Sequence, residues 1–407
     1  MMQVLVIGYV WPEPNSSAAG SHMMSLLRLF KAQQWSVTFA SPAQTTEHMQ
    51  DLNAEGIEVV NIALNCSSFD DFIAELQPEL VMFDRFMMEE QFAWRVEKVC
   101  PDAMRLLDTE DLQCLRQGRH QALKQQRPFE PLQDLSSDIA KREIAAIYRS
   151  DLSLIISDYE MQLLQRHFAM PATLLHHLPF MLDASSLQGN SLSFDERQHF
   201  VTIGNFRHAP NWDCVLWLSQ LWPAIRKQLP HAEMHIYGSY PPPKATALSN
   251  PKTGFLVKGW ADDAQQVLAS AKICLAPLRF GAGIKGKLID AMQTQTPSIT
   301  TSIGSEGMMA QDNWPGLIAA NEHEIVTAAV ALYQDADLWQ KKQLRCHELI
   351  KQAYHGEWLG AALIERIKRL RSQLATHRQQ NFTGAMLRHH SMKSTQYMSQ
   401  WIELKNK

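Results

Sequence analysis

The chain has 407 residues, 45% of them apolar and 20% charged, with a formal net charge of −4. That length exceeds what one hydrophobic core usually supports and predicts two α/β domains, while the charge excludes an overall nucleic-acid footprint. Cys66, Cys100, Cys114, Cys214, Cys274 and Cys346 are scattered without metal-ligand spacing, no apolar run approaches a membrane span, and the start Met-Met-Gln-Val-Leu lacks a basic n-region. These features predict a soluble, cytoplasmic protein with reduced, mostly buried cysteines.

Short apolar runs alternate with longer helical patterns, the signature of parallel sheets with crossover helices. Val4–Ile7 reads as a buried strand ending at Gly8. A polar, Pro-rich loop, Tyr9–Ala19, leads to a helix starting near Gly20, with Met24, Leu27 and Phe30 on one face. Val37–Ala40, Ile57–Val60, Leu80–Phe83, Met104–Leu107 and Leu154–Ile156 continue the strand series, with a mostly helical insertion from Asp108 to Ile147. Polar Asp183–Gln198 reads as a linker. The pattern then restarts with Phe200–Ile203, Gly204, a loop and a helix from about Asn211, followed by strands at Met234–Tyr237, Phe255–Lys258, Ile273–Ala276 and Ser298–Thr301. This restart predicts domains at 1–185 and 198–365, with a helical tail at 366–407.

In doubly wound sheets, ligands bind beyond the C-terminal strand ends, where helix N-termini attract anions. Two such places stand out, Gly8–Gly20 and the region from Gly204 joined by Leu278–Asp290. Neither is a Gly-x-Gly-x-x-Gly fingerprint or a P-loop. Within Ala276–Met308 a strand ends at Pro277, and a loop holds Gly281, Gly283, Lys285 and Lys287 before a helix carrying Asp290. Glycines admit close backbone approach, and lysines beside a helix start suit a diphosphate. Asp290, three residues past Lys287, shares its face and can accept hydrogen bonds from ribose hydroxyls. The plainer reading is a Gly-rich turn with solvated lysines and an Asp serving the helix dipole.

The stretch Phe200–Met308 resembles the donor domain of the large retaining glycosyltransferase family known as family 4. The resemblance is carried by Ile203-Gly-Asn-Phe-Arg-His-Ala-Pro-Asn211, Lys258-Gly-Trp-Ala-Asp262, Ala276–Met292 and Gly304-Ser-Glu-Gly307. Asp108–Arg116 is similar to an acceptor-domain segment, and Ile155–Glu160 to the approach to the interdomain crossover. The resemblance implies two Rossmann-like domains facing across a cleft (the GT-B type), with a C-terminal helix returning to the first domain. It further implies a nucleotide-sugar donor, no obligatory metal or cofactor, and a retaining transfer without a protein nucleophile. Lys287 matches the phosphate-binding lysine, assisted by Lys285 and Arg207, and Asp290 stands where the family has a ribose-binding glutamate. Gly204, Gly281 and Gly283 line the donor site, Lys258–Trp260 match the base-binding turn, and Glu306 would touch the sugar. The acceptor, a saccharide, lipid-linked saccharide or other group, is expected near Gly20 and Asp108. Two departures stand out: Ala282 occupies the position of the family's earlier glutamate, and its Arg-and-Lys pair is reduced to Arg207.

Asp108 and Asp111 could orient the acceptor hydroxyl, or cap the following helix and supply its first-turn charge. Glu306 could equally be a helix-start charge. His176-His177 and His389-His390 lack a third ligand and read as structural, as does Ser157. Two rivals to glycosyl transfer are a weakened sugar-nucleotide-binding protein, favoured by Ala282, and a Rossmann oxidoreductase or epimerase, disfavoured by the missing fingerprint. From Arg366 to Lys407 nine Lys or Arg face one acid, Glu403, so the tail carries +8 and the rest −12. Leu363, Ile367, Leu370 and Leu374 predict a packed helix. Beyond it the basic tail is expected to fold back over the acidic first domain, the alternative being peripheral contact with an anionic membrane.

Overall fold

A computed structural model describes residues 2–183, 192–308 and 313–406. The first half forms a seven-stranded sheet from β1 (Gln3–Ile7), β2 (Ser36–Ser41), β3 (Glu58–Asn61), β4 (Leu80–Asp84), β5 (Met104–Asp108), β6 (Leu152–Ile155) and β7 (Leu175–His177). Its order is β3-β2-β1-β4-β5-β6-β7, and every pairing is parallel. The second sheet contains β8 (Gln198–Ile203), β9 (Met234–Tyr237), β10 (Phe255–Gly259), β11 (Ala271–Ala276), β12 (Ser298–Thr300) and β13 (Gly316–Ile318), in the order β10-β9-β8-β11-β12-β13. It too is wholly parallel.

The apolar runs form strands because helices cover both faces of each sheet. Leu5 and Ile7 belong to one core, Val4 and Val6 to the other, and all four are 0–1% exposed. Burial of such a side chain stabilises by about 1.5–3 kcal/mol. The helix Ala18–Ala32 begins where Ser17 caps it, its hydroxyl accepting from Gly20 N at 3.1 Å. The inserted helical region comprises Gln113–Lys124, Pro131–Asp134 and Asp138–Arg149, with Pro131 at a helix start where its missing N–H costs nothing.

Strands β7 and β13 add an edge to each sheet beyond the sequence expectation. Each is three residues long, too short for a periodic signal. His176 and His177 lie in β7, and burial pushes the His176 imidazole down to about 4.

Half of the expected linker Asp183–Gln198, residues 184–191, lies outside the described residues, and its final part is not loose. Gln198 opens β8, and Arg197 is 1% exposed, donating to Thr296 Oγ1 at 2.6 Å and to the Thr294 carbonyl at 2.7 Å. A polar composition conceals a cation anchored inside the second unit.

The chain crosses between units at two adjacent points. Leu182 N donates to the Tyr354 carbonyl, and Gly356 N to the Leu182 carbonyl, both at 2.9 Å. The helix Gly356–Ser372 then returns to the first unit, where Leu363, Ile364, Ile367 and Leu370 join the core that holds Val4 and Val6. The basic tail folds back over the same unit. Arg378 grips both carboxylate oxygens of buried Asp151 at 2.8 Å each, and Asn381 Nδ2 donates to the Tyr148 carbonyl at 2.7 Å.

Candidate active site

The C-terminal ends of the two sheets face each other, and the expected residues gather there. Asp84 and Asp108 are register partners at the ends of β4 and β5, and both are buried. Asp84 Oδ2 accepts from Tyr9 N at 2.9 Å, and desolvation holds the Asp84 carboxyl above its usual range. Buried His22, in the first helix, brings Nε2 within 3.7 Å of Asp108 Oδ2. His22 Nδ1, Asp84 Oδ1 and Asp108 Oδ2 have no hydrogen-bond partner, an arrangement that leaves polar capacity pointed at the strand ends.

The residues after these strands adopt the left-handed region, Arg85 at φ 69° and Glu110 at φ 61°. Such backbone is uncommon outside glycine and concentrates at functional loops. Burial raises the Glu110 carboxyl well above normal, reinforced by Asp108.

Asp108 and Asp111 do not cap the following helix. Its first free N–H groups, Gln113 N and Cys114 N, donate at 2.9 Å to the Glu143 carboxylate, which desolvation raises to about 7. Asp108 instead ends a strand, and Asp111 pairs with Arg116.

In the second unit, β11 leads into the loop 277–285 and the helix Gly286–Gln293. Gly283 has φ 62°, and its N–H donates to Glu160 Oε1 of the first unit at 2.9 Å. The same oxygen accepts from Leu112 N at 2.9 Å. Lys285 is buried, with Nζ donating to the Gly283 carbonyl at 2.8 Å, and desolvation lowers its ammonium to about 8 despite Glu306 nearby. Lys285 therefore braces the loop, while Lys287 and Asp290 are half-buried near the start of the helix. Burial raises the Asp290 carboxyl to about 7, opposed by Lys287 alone among the charges acting on it.

Two helix N-termini converge from opposite units. A Cβ at Gly286 would lie 2.2 Å from Ala18 Cβ, so the first residue of one helix touches the first residue of the other. His208, which precedes the helix Ala209–Gln228, is exposed. Desolvation holds its imidazole below the ordinary range, with Arg116, Lys287 and Arg85 acting as further depressing charges and Asp111 opposing them. Asp111 of the first unit and Lys287 of the second thus both act electrostatically on this histidine.

The remaining expected residues take varied places. Gly20 packs against the backbone of Glu13. Gly204, at the end of β8, donates to the Tyr237 carbonyl at 3.1 Å. Arg207 stacks its guanidinium 3.5 Å from the centre of the Tyr240 ring, and the Tyr240 hydroxyl donates to Glu13 Oε1 at 3.0 Å. Trp260 stacks on His48 of the first unit at 4.0 Å, whereas the charge of exposed Lys258 is felt at His199 and Glu233.

Glu306 is not a helix-start charge. It follows the short helix Ser302–Ser305, whose N-cap is Thr301, and it is gripped by Arg119. Ala282, at the position of the family's earlier glutamate, is an apolar contact with the first unit's core.

A pocket of about 260 Å³ lies elsewhere on the second unit, lined by His199, His235, Tyr237 and Val267 but by none of the residues expected from sequence. His199, Glu233 and His235 converge beside it. His199 Nδ1 accepts from Glu233 N at 3.2 Å, which leaves the proton on Nε2, a hydrogen-bonded arrangement rather than a ligand lone pair.

The structure adds His22, Asp84, Arg85, Glu110, Arg116, Arg119, Glu160 and His208 to the residues expected from sequence. Glu110 and Arg116 lie within the segment Asp108–Arg116, Glu160 ends Ile155–Glu160 and His208 lies within Ile203–Asn211, whereas His22, Asp84, Arg85 and Arg119 carry no such local signal.

Residues 197–335 match the model of the family described as glycosyl transferases group 1. No curated protein sequence matches the chain. A glycosyltransferase from Rickettsia africae is similar in structure with a TM-score of 0.66 at 10% identity, over 91% of this chain and 98% of that one. The Anabaena protein HepE, solved in complex with UDP-glucose, gives 0.68 at 10% identity over 91% and 100%. A mutant of S. aureus TarM, solved with fondaparinux, alpha-GlcNAc-glycerol and UDP, gives 0.67 at 10% identity over 91% and 100%. No helix among the described residues is long and apolar enough to cross a membrane. The second unit thus matches the group 1 glycosyl transferase model, and the chain as a whole has the two-sheet GT-B architecture of these glycosyltransferases.

Proposed function

We propose that the enzyme transfers a glycosyl group from a nucleoside-diphosphate sugar, held by the second unit, to a hydroxyl of a saccharide or lipid-linked saccharide held by the first, with retention of anomeric configuration. The observation that carries this reading is the meeting of two helix N-termini, Ala18–Ala32 and Gly286–Gln293, beside Lys287. Helix N-termini from both units meet at one place, and their dipoles suit a diphosphate whose negative charge grows as the glycosidic bond breaks. Nucleotide complexes of HepE and TarM support a nucleotide donor, and the saccharide compounds bound to TarM support a saccharide acceptor.

In this reading Lys287 stabilises the leaving diphosphate, with Arg207 available near the same strand ends. Asp290 accepts hydrogen bonds from the ribose, and the turn Lys258–Trp260 borders the base. Lys285 and Glu160 hold the loop that carries Gly281 and Gly283. The first unit's Asp108, Asp111 and His22 receive and orient the acceptor hydroxyl. The proton leaves with the departing phosphate, and attack comes from the same face of the sugar. The reaction so assigned calls for no metal ion.

A donor-binding protein of low turnover is the second reading, favoured by apolar Ala282 packed against the first unit. The test is a thermal-shift panel of nucleoside-diphosphate sugars, followed by release of free nucleotide with and without EDTA. A donor at 100 times its dissociation constant should stabilise the protein by about 2.7 kcal/mol. Binding followed by nucleotide release supports transfer, binding without release supports the second reading, and no shift with any nucleotide sugar rejects both.

A further inference from the structure

The last helix, Lys393–Asn406, is amphipathic in a way the chain's own packing does not use. One face docks on the helix Arg85–Val99. Ser399 is buried and accepts from Arg95 Nη2 at 3.3 Å, and Glu403 accepts from the Ser67 hydroxyl at 2.6 Å. The opposite face presents Tyr397, Trp401 and Leu404 at i, i+4 and i+7, and these are 64%, 57% and 72% exposed. Met398, 58% exposed, widens the stripe. A helix already anchored on its inner face gains no folding stability from apolar groups held in water, and contiguous exposed apolar surface marks an interaction site.

Charge identifies the occupant. Among the described residues after Gln373, the one acid, Glu403, is turned inward toward Ser67 and Arg95. Arg378 is committed to Asp151, and Arg388 is directed at Glu97 and the Arg149 carbonyl. The formal charges left facing outward are Lys393 and Lys405, both exposed, with Lys405 Nζ lying 5.0 Å from the centre of the Trp401 ring. A stripe of Trp, Tyr, Leu and Met flanked by lysines has the composition of a helix lying in a lipid headgroup boundary. A second copy docking stripe to stripe would bring four lysines of like sign together.

We propose that this helix docks the enzyme on an anionic lipid bilayer, with Trp401, Tyr397 and Leu404 entering the headgroup–acyl boundary and Lys393 and Lys405 meeting lipid phosphates. Docking of this kind is independent of the sugar, the acceptor and the transfer chemistry. The test is co-sedimentation of the full chain with phosphatidylglycerol-containing vesicles, using pure phosphatidylcholine vesicles as the uncharged reference.

The wild-type protein should sediment with the anionic vesicles, less so at high salt. Trp401→Ser/Leu404→Ser should reduce its partition coefficient about tenfold or more with an unchanged circular dichroism spectrum. Lys393→Glu/Lys405→Glu, which keeps the apolar stripe, should reduce binding to anionic vesicles and remove its salt dependence. Absence of wild-type binding, or equal binding by wild type and the Trp401/Leu404 variant, overturns the proposal. So does concentration-dependent dimerisation abolished by the Trp401/Leu404 change without vesicle binding, which would make the stripe a contact between copies.

Discussion

Arg119 of the first unit holds both carboxylate oxygens of Glu306 of the second, Nη1 and Nη2 each donating at 2.7 Å, while Nη1 also donates to the Gly281 carbonyl at 2.9 Å. The guanidinium lies between the rings of Phe129 and Tyr159, 5.4 and 5.2 Å away, and its side chain is 5% exposed against 16% for Glu306. A bidentate pair so enclosed fixes orientation as well as distance, so one contact ties the closed arrangement to the loop that carries Gly281 and Lys285.

Arg119→Met should therefore loosen the closure. Removing one partner of a largely buried pair costs about 2–4 kcal/mol, much of it from the stranded partner. Small-angle scattering should show a larger radius of gyration in the variant. Adding Glu306→Gln should recover part of the closure, because the orphaned carboxylate is then gone. An unchanged scattering curve for Arg119→Met means that the units are held by other contacts alone.

This clamp also shows where sequence reading stops. The doubly covered strands β1, β4, β5 and β11 are legible because burial on both faces leaves continuous apolar runs such as Val4-Leu-Val-Ile7. Lys287 and Asp290 are legible because helical spacing puts residues three apart on one face. Arg119 and Glu306 are 187 residues apart, and no local pattern links them. Glu160 has the look of an ordinary first-turn acid, yet its carboxylate joins Leu112 and Gly283. The left-handed backbone at Arg85 and Glu110 leaves no mark in side-chain identity. The helix-cap reading of Asp108 and Asp111 fails because a distant acid, Glu143, does the capping.

Asp290 gives a pH prediction. Burial raises its carboxyl from the ordinary value of 3.8 to about 7. Between about pH 4 and 7 the folded, ligand-free protein keeps a proton that the unfolded chain has lost, so this group's stabilising contribution falls as pH rises through that window. Donor affinity should move the other way if, as proposed, the carboxylate form accepts from the ribose hydroxyls. Affinity measured by calorimetry should weaken as pH drops below about 7, and Asp290→Asn should flatten that dependence. Glu160, raised to about 7, and Lys285, lowered to about 8, titrate nearby. A profile unchanged by Asp290→Asn assigns the dependence to them.

The contact between Gly286 and Ala18 allows a steric test of convergence. A methyl group added at Gly286 would lie 2.2 Å from Ala18 Cβ, closer than packed carbons tolerate. Gly286 has no left-handed backbone requirement, so Gly286→Ala is opposed by the other unit rather than by its own helix. This change should weaken donor binding by forcing the helix starts apart, and Ala18→Gly in the same chain should restore most of it. A double-mutant cycle by calorimetry measures the coupling. Additive effects would place the two helix starts out of contact in the donor-bound protein.

Lys287 and Asp290 should separate in their kinetic roles. Lys287 lies where two helix N-termini meet, and in the proposed reaction it opposes charge that grows on the diphosphate as the sugar departs. An interaction strengthened in the transition state appears in kcat as well as in kcat/KM. Lys287→Ala should therefore lower kcat by about two to three orders of magnitude, the scale of losing one preorganised electrostatic donor. In the same proposed reaction Asp290 accepts from the ribose, which changes little as the sugar departs. Asp290→Asn should raise KM for the donor through a loss of about 1–3 kcal/mol of charge-assisted hydrogen bonding, with kcat nearly unchanged. Steady-state kinetics on both variants, with circular dichroism to verify folding, supply the comparison. Wild-type turnover in Lys287→Ala would move the phosphate site away from this helix, and a kcat loss in Asp290→Asn equal to that in Lys287→Ala would mean that the carboxylate acts through the lysine instead of through the ribose.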